Sequence, residues 1–128
     1  MDLKDKQKNK WTSLIKSFSY AIQGLREAFF SERNLQIHFL FSIIVVICGF
    51  LFQITKVEWM VILVLIGGMF SIEMINTAVE KVVDLVTNEF HPLAKKAKDI
   101  AAGAVLIYAI IAVIIGLIIF LPYLPSLI

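Results

Sequence analysis

The chain has 128 residues, 59% of them hydrophobic, a formal net charge of only +2 and a mean hydropathy of +0.86. That balance exceeds what an ordinary soluble domain of this size carries, and it excludes a fold built around a water-excluded soluble core. An integral membrane protein is the class that remains, and so small a net charge points to no nucleic-acid partner.

The first element is amphipathic. Trp11, Leu14, Ile15, Phe18, Ile22, Leu25 and Phe29 recur at three- and four-residue spacing on one helical face, while Lys16, Gln23 and Glu27 project from the other. Residues 1–33 are therefore expected to form a cytoplasmic segment lying in the membrane interface, with the Lys4 to Lys10 cluster held by anionic headgroups. The same pattern also fits a helix packed on its own bundle, and the two placements are compatible.

Three apolar runs follow, at about 35–54, 57–86 and 100–121, each near or above the ~20 residues that cross a hydrocarbon core of ~30 Å. The first is not read as a cleaved signal peptide, because a long polar and amphipathic stretch precedes it and no small-residue cleavage site follows. Cys48, the single cysteine, lies inside that run and reads as a small apolar filler. No internal repeat is visible, so one helical membrane domain over 1–128 is expected.

Lys and Arg are distributed unevenly. Seven precede the first span, Lys56 follows it, Lys95, Lys96 and Lys98 follow the second, and none lies beyond Asp99. The positive-inside rule then puts the N-terminus and the second loop in the cytoplasm, with the Thr55–Glu58 turn and the C-terminus outside.

The second span contains the least expected feature. In "MFSIEMINTAVEKVVDLV", at about 100° per residue, Glu73, Asn76, Thr77, Glu80 and Asp84 share one stripe roughly 100° wide. A carboxylate near the bilayer centre costs ~2.5–3.5 kcal/mol on insertion scales, so the stripe should face the bundle interior or a hydrated cleft. Helix gluing by ion pairs is a weak explanation, since the spans hold almost no bases; Lys81, at the stripe's edge, could neutralise one acid at most. Clustered acids with few basic partners suit a hard divalent cation such as Mg²⁺, which takes one or two carboxylates together with water and phosphate oxygens. Glu32, at the end of the amphipathic helix, is placed to meet Glu80 at the cytoplasmic interface. Glu89, His91, Lys95, Lys96, Lys98 and Asp99 are expected in a cytoplasmic loop suited to a polyphosphate.

No GxxxxGK[ST] loop, protein-kinase signature, HExxH or GxSxG is present. However, "GLREAFFSERN", "EMINTAVEKVVDL" and "FHPLAKKAKDIAAGAVL" closely resemble the small bacterial membrane kinases of the prokaryotic diacylglycerol kinase family. The resemblance runs from about Ser17 to Ile111, and its E-x-x-N-x-A-x-E-x-x-x-D core is highly specific.

The resemblance implies an all-α fold: an amphipathic surface helix and three transmembrane helices in a homotrimer of the bacterial plasma membrane, with active sites between protomers. It implies Mg²⁺-dependent transfer of the γ-phosphoryl group of ATP to a membrane lipid alcohol. By position, Glu73 matches the general base, with Asn76 beside it, and Glu32 and Glu80 match the metal ligands. Tyr20, Glu89, His91, Lys98 and Asp99 match ATP contacts, and Arg26 lies with Glu73 along the lipid and phosphate path. Glu73 stands two turns from Glu80, roughly 10 Å nearer the bilayer centre, which suits a hydroxyl arriving from lipid; Asn76 could bridge the two. The small residues Ala94, Ala97, Ala101, Ala102, Gly103 and Ala104 read as ordinary close packing of the third helix.

Two lipid alcohols fit, undecaprenol and diacylglycerol. "ERNLQIH" and "HPLAKKAKDIAAGAVL" look like the Gram-positive branch acting on undecaprenol, whereas the diacylglycerol branch usually has an acid where His38 stands. His38 itself reads as a helix-end residue. A reading from another class also stays open: a small ion-conducting subunit in which Glu73, Asn76, Glu80 and Asp84 relay protons or cations.

Overall fold

A computed structural model describes residues 2–128, and the fold among them is entirely helical. Four α-helices follow one another: α1 (Leu3–Ser31), α2 (Arg33–Leu51), α3 (Lys56–Val86) and α4 (Pro92–Phe120), and a 3-10 segment (Leu121–Leu127) ends the chain. Among them α2, α3 and α4 are long and apolar enough to cross a membrane. Helices are the solution open to such a chain, because hydrocarbon offers no partner for an unsatisfied backbone N–H or C=O.

Each break has a local cause. Between α1 and α2 a single residue, Glu32, adopts extended geometry (φ −108°, ψ 113°), so the chain turns a corner without a loop. α2 ends at Leu51, three residues before the apolar run does, because Gln53 takes the left-handed conformation (φ 53°) and folds Ile54 back under the helix end. Thr55 then caps α3: its hydroxyl accepts from Glu58 N–H at 3.2 Å, and Glu58 accepts from Thr55 N–H at 2.8 Å. This reciprocal cap satisfies two of the amides that a helix start leaves unpaired. The Tyr123 hydroxyl donates to the same Glu58 oxygen at 2.6 Å, tying the C-terminal segment to the start of α3.

α4 begins eight residues earlier than the apolar run Ile100–Leu121. His91 accepts from Leu93 N–H at 3.1 Å through Nδ1, and Pro92 occupies the first helical position, which requires no amide hydrogen. Lys95, Lys96, Lys98 and Asp99 therefore sit on the first two turns of a helix, not in a loop, and Lys95 pairs with Asp99 along it. The α3–α4 connection is left with residues 87–91 alone.

α3 is the central helix and packs against α1, α2 and α4. Two glycines permit the closest approaches. A Cβ on Gly49 would lie 2.7 Å from the Trp59 ring, and one on Gly68 would collide with the Tyr108 ring and hydroxyl. Tyr108 lies there because its hydroxyl donates to the Val64 and Leu65 carbonyls, at 3.0 Å each. A Cβ on Gly103, in the small-residue stretch of α4, would meet nothing within 4 Å among the described residues.

The core gathers at the end of the bundle opposite the α1–α2 corner, around Ile54, Ile62 and Ile119, with Phe52, Trp59 and Tyr123 packed against it. Elsewhere most large apolar side chains are exposed on the single chain, as expected of a surface facing lipid or further subunits. α1 follows suit. Only Ala28 is buried, while Trp11, Leu14, Ile15, Phe18, Ile22 and Leu25 remain open, so the helix rests on its own bundle only near its C-terminal end.

Candidate functional site

The polar stripe of α3 faces inward at one end and outward at the other. Glu73 is 4% exposed and Thr77 is buried, Asn76 and Glu80 are half-buried, and Asp84 is exposed. α3 has 31 residues, about 46 Å at ~1.5 Å per residue, so its last turns project beyond a ~30 Å hydrocarbon layer. The stripe thus runs from the packed interior to the membrane surface.

Bases supplied by other helices engage two of its three acids, contrary to the expectation drawn from the apolar spans. His38, from α2, places Nε2 3.1 Å from Glu73 Oε1. Lys98, from α4, places Nζ 2.6 Å from Asp84 Oδ1. Lys81 turns away from the stripe and pairs with Glu27 of α1 at 3.6 Å. A helix projects side chains in every direction, so partners missing within α3 come from whichever helices flank each sector of it.

Between these pairs, Asn76 donates from Nδ2 to Glu80 Oε1 at 3.3 Å. It does not bridge Glu73 and Glu80, since His38 holds Glu73 instead. The Asn76 Oδ1 atom is buried and has no partner among the described residues. An unsatisfied buried acceptor is costly, so this oxygen marks a point where a donor is wanted.

The Glu27–Lys81 pair brings the end of α1 against α3 one residue past Glu80. Glu32 follows at the α1–α2 corner, half-buried, its carboxylate without an ionic or hydrogen-bonding partner among the described residues. Among those residues, no three or more His, Cys, Asp or Glu side chains converge on a common point. The Arg26 guanidinium lies 6.0 Å from the Phe30 ring centre, and both line a shallow groove with Gln23, Glu27 and Ser31.

Four of the five residues expected to contact nucleotide gather around the α3–α4 corner. Glu89 and His91 lie in the 87–91 connection, and Lys98 and Asp99 on the first turns of α4, engaged with Asp84 and Lys95. Tyr20 is 66% exposed on α1, and no hydrogen bond joins it to that corner among the described residues. His38 is the site residue the sequence reading did not assign. The signal for it was a lone polar ring one turn inside an apolar span, where any ionisable group needs a partner.

A paired carboxylate held deep in a membrane helix, with a second carboxylate two turns nearer the surface, can take a proton at the deep end and hold charge at the surface end. Known proteins are similar to this chain in sequence. Residues 19–120 match the family model described as prokaryotic diacylglycerol kinase. An undecaprenol kinase of Bacillus subtilis is 53% identical over 122 residues, covering 95% of this chain and 98% of that protein. A diacylglycerol kinase of Synechocystis is 41% identical across 94% of this chain and 71% of its own length. The diacylglycerol kinase of Escherichia coli K12 is 30% identical across 81% of this chain and 85% of its own. With a family match over most of its length and relatives of this closeness, the chain is a multi-pass membrane protein that belongs to the prokaryotic diacylglycerol kinase family.

Proposed function

We propose that this protein is a lipid kinase that transfers the γ-phosphoryl group of ATP to the hydroxyl of undecaprenol, giving undecaprenyl phosphate. The observation that carries the reading is the buried Glu73 carboxylate, set on a membrane helix deeper than the Asn76–Glu80 pair. The choice of undecaprenol rests on the 53% identity to an enzyme of that name.

In this reading Glu73 is the general base. It takes the proton of the lipid hydroxyl as the oxygen attacks phosphorus, at a depth the head of a membrane alcohol can reach. Asn76 holds Glu80 by its amide nitrogen and offers Oδ1 to a donor on the substrate side. Glu80 and the unpartnered Glu32 would hold Mg²⁺. Two carboxylates, with no all-protein cage beside them, fit an ion that completes its shell from water and phosphate. Bound there with ATP, the ion supplies neutralisation of the charge on the transferring phosphate. Glu89, His91, Lys98, Asp99 and Tyr20 would contact ATP, and Arg26 would lie along the lipid and phosphate path. The extensive exposed apolar surface, and the place of Tyr20 on α1 with no bond to the α3–α4 corner among the described residues, support a homotrimer whose sites form between subunits. The Lys and Arg distribution supports a cytoplasmic N-terminus and α3–α4 corner, with the C-terminus outside.

The experiment offers the protein in mixed micelles undecaprenol and diacylglycerol separately, with labelled ATP and Mg²⁺. Preferential labelling of undecaprenol is expected. Preferential labelling of diacylglycerol, the alcohol named for the Synechocystis relative, would replace the substrate. Labelling of neither, with ion flux in ATP-free liposomes, would replace the kinase with a conducting subunit.

A further inference from the structure

The contact between His38 and Glu73 joins residues 35 apart in the chain and is the one hydrogen bond of the Glu73 side chain among the described residues. A carboxylate serving as a base accepts at its oxygens, so with Glu73 in that role the imidazole Nε2 is the donor of this bond. Its 3.1 Å length is within the range of N–H···O bonds. The acid is buried, with its side chain 6% exposed, while the His38 side chain is 25% exposed. Nothing on α3 itself holds Glu73: Asn76 is turned to Glu80, and no other base reaches it among the described residues.

We propose that His38 is a positioning residue for the general base: its Nε2–H anchors Glu73 Oε1, leaving Oε2 as the oxygen that receives the lipid proton. The inference rests on the reading of Glu73 as that base. A glutamate has three rotatable bonds between its backbone and its carboxylate. One anchored oxygen removes that freedom before the substrate arrives, and a preset geometry is what a phosphoryl transfer of this type depends on. During the transfer the lipid O–H bond breaks as its oxygen bonds phosphorus, the bond from phosphorus to ADP breaks, and the proton rests on Oε2. The His38 bond to Oε1 persists throughout. Placement on α2 makes this anchor interhelical, so the base is aligned only when α2 and α3 pack in the native register.

The test uses the full chain in undecaprenol micelles with ATP and Mg²⁺, comparing His38→Ala, His38→Phe, His38→Gln and Glu73→Gln. Without the donor, Ala and Phe should lower kcat roughly 10- to 100-fold, with the KM for ATP unchanged. Gln, whose amide N–H reaches a similar point, should recover most of that loss. Full kcat in His38→Ala, or no recovery in His38→Gln, overturns the proposal. So does a loss of kcat in all three variants that tracks a fall in thermal midpoint, the mark of a merely structural contact. Glu73→Gln separates the two claims. If it is inactive while His38→Ala is fully active, the base stands and the positioning role falls; if Glu73→Gln turns over normally, the base reading itself falls.

Discussion

Lys98 Nζ lies 2.6 Å from Asp84 Oδ1, and this contact fastens the first turns of α4 to the last turn of the acidic stripe on α3. It gives Asp84 a role that its place one turn beyond Glu80 does not: it holds a cation at the surface end of the stripe. The side chains are 39% and 59% exposed, so the pair sits in water-like surroundings.

Removing Asp84 should therefore matter more to nucleotide than to folding. An exposed ion pair contributes about 0–1 kcal/mol, so Asp84→Asn should move the thermal midpoint little. Because Lys98 is then no longer held in place, the KM for ATP should rise several-fold, and Lys98→Ala should raise it further. Initial rates across an ATP titration check both, and an unchanged KM in Lys98→Ala would remove Lys98 from the nucleotide site.

Glu73→Gln keeps the size of the side chain and an oxygen for the His38 bond, yet loses the basicity. Turnover should fall by about 10²- to 10⁴-fold, the usual contribution of a general base. The thermal midpoint should hold or rise, since a buried acid is replaced by a neutral amide. Single-turnover labelling of the lipid at saturating ATP is the measurement.

Glu80 can be tested so that metal binding and packing separate. Glu80→Gln keeps an oxygen for the Asn76 amide, whereas Glu80→Ala leaves that amide without its partner. Both should raise the Mg²⁺ concentration needed for half-maximal rate by tenfold or more, as should Glu32→Ala. Only Glu80→Ala should also lose stability, by about 1 kcal/mol. Mg²⁺ titrations beside thermal melts distinguish the effects, and equal Mg²⁺ responses in Glu80→Gln and wild type would dismiss Glu80 as a ligand.

Gly68 should tolerate little. Any Cβ there meets Tyr108, whose hydroxyl is fixed on two α3 carbonyls. Gly68→Ala should destabilise by about 1–3 kcal/mol, as overpacking does. In a Tyr108→Phe background part of that cost should vanish, a non-additivity that a double-mutant cycle in thermal melts reads directly. Additive effects would mean that the two residues do not press on one another.

How much of the molecule was legible beforehand depends on the range of the interaction concerned. The amphipathic face from Trp11 to Phe29 and the stripe from Glu73 to Asp84 are written at helical spacing, and both lie on the helices expected. The start of α4 lies eight residues before the apolar run at Ile100, because hydropathy does not mark where a helix begins. Pro92 and the His91 cap begin that helix in polar sequence, which helical geometry permits and a hydropathy window does not register. Similarly, the end of α2 fell short of its apolar run because one left-handed residue, Gln53, turned the chain.

By itself the sequence determined the class, the three spans, the polar stripe and the family signature, since each depends on residues near one another along the chain. Tertiary structure alone decided which groups the stripe meets: His38 on Glu73, Lys98 on Asp84, and Glu27 drawing Lys81 aside. Those pairings depend on how each helix is rotated about its axis and where the helices cross. A rotation of one residue, about 100°, would exchange every partner while leaving the local pattern intact.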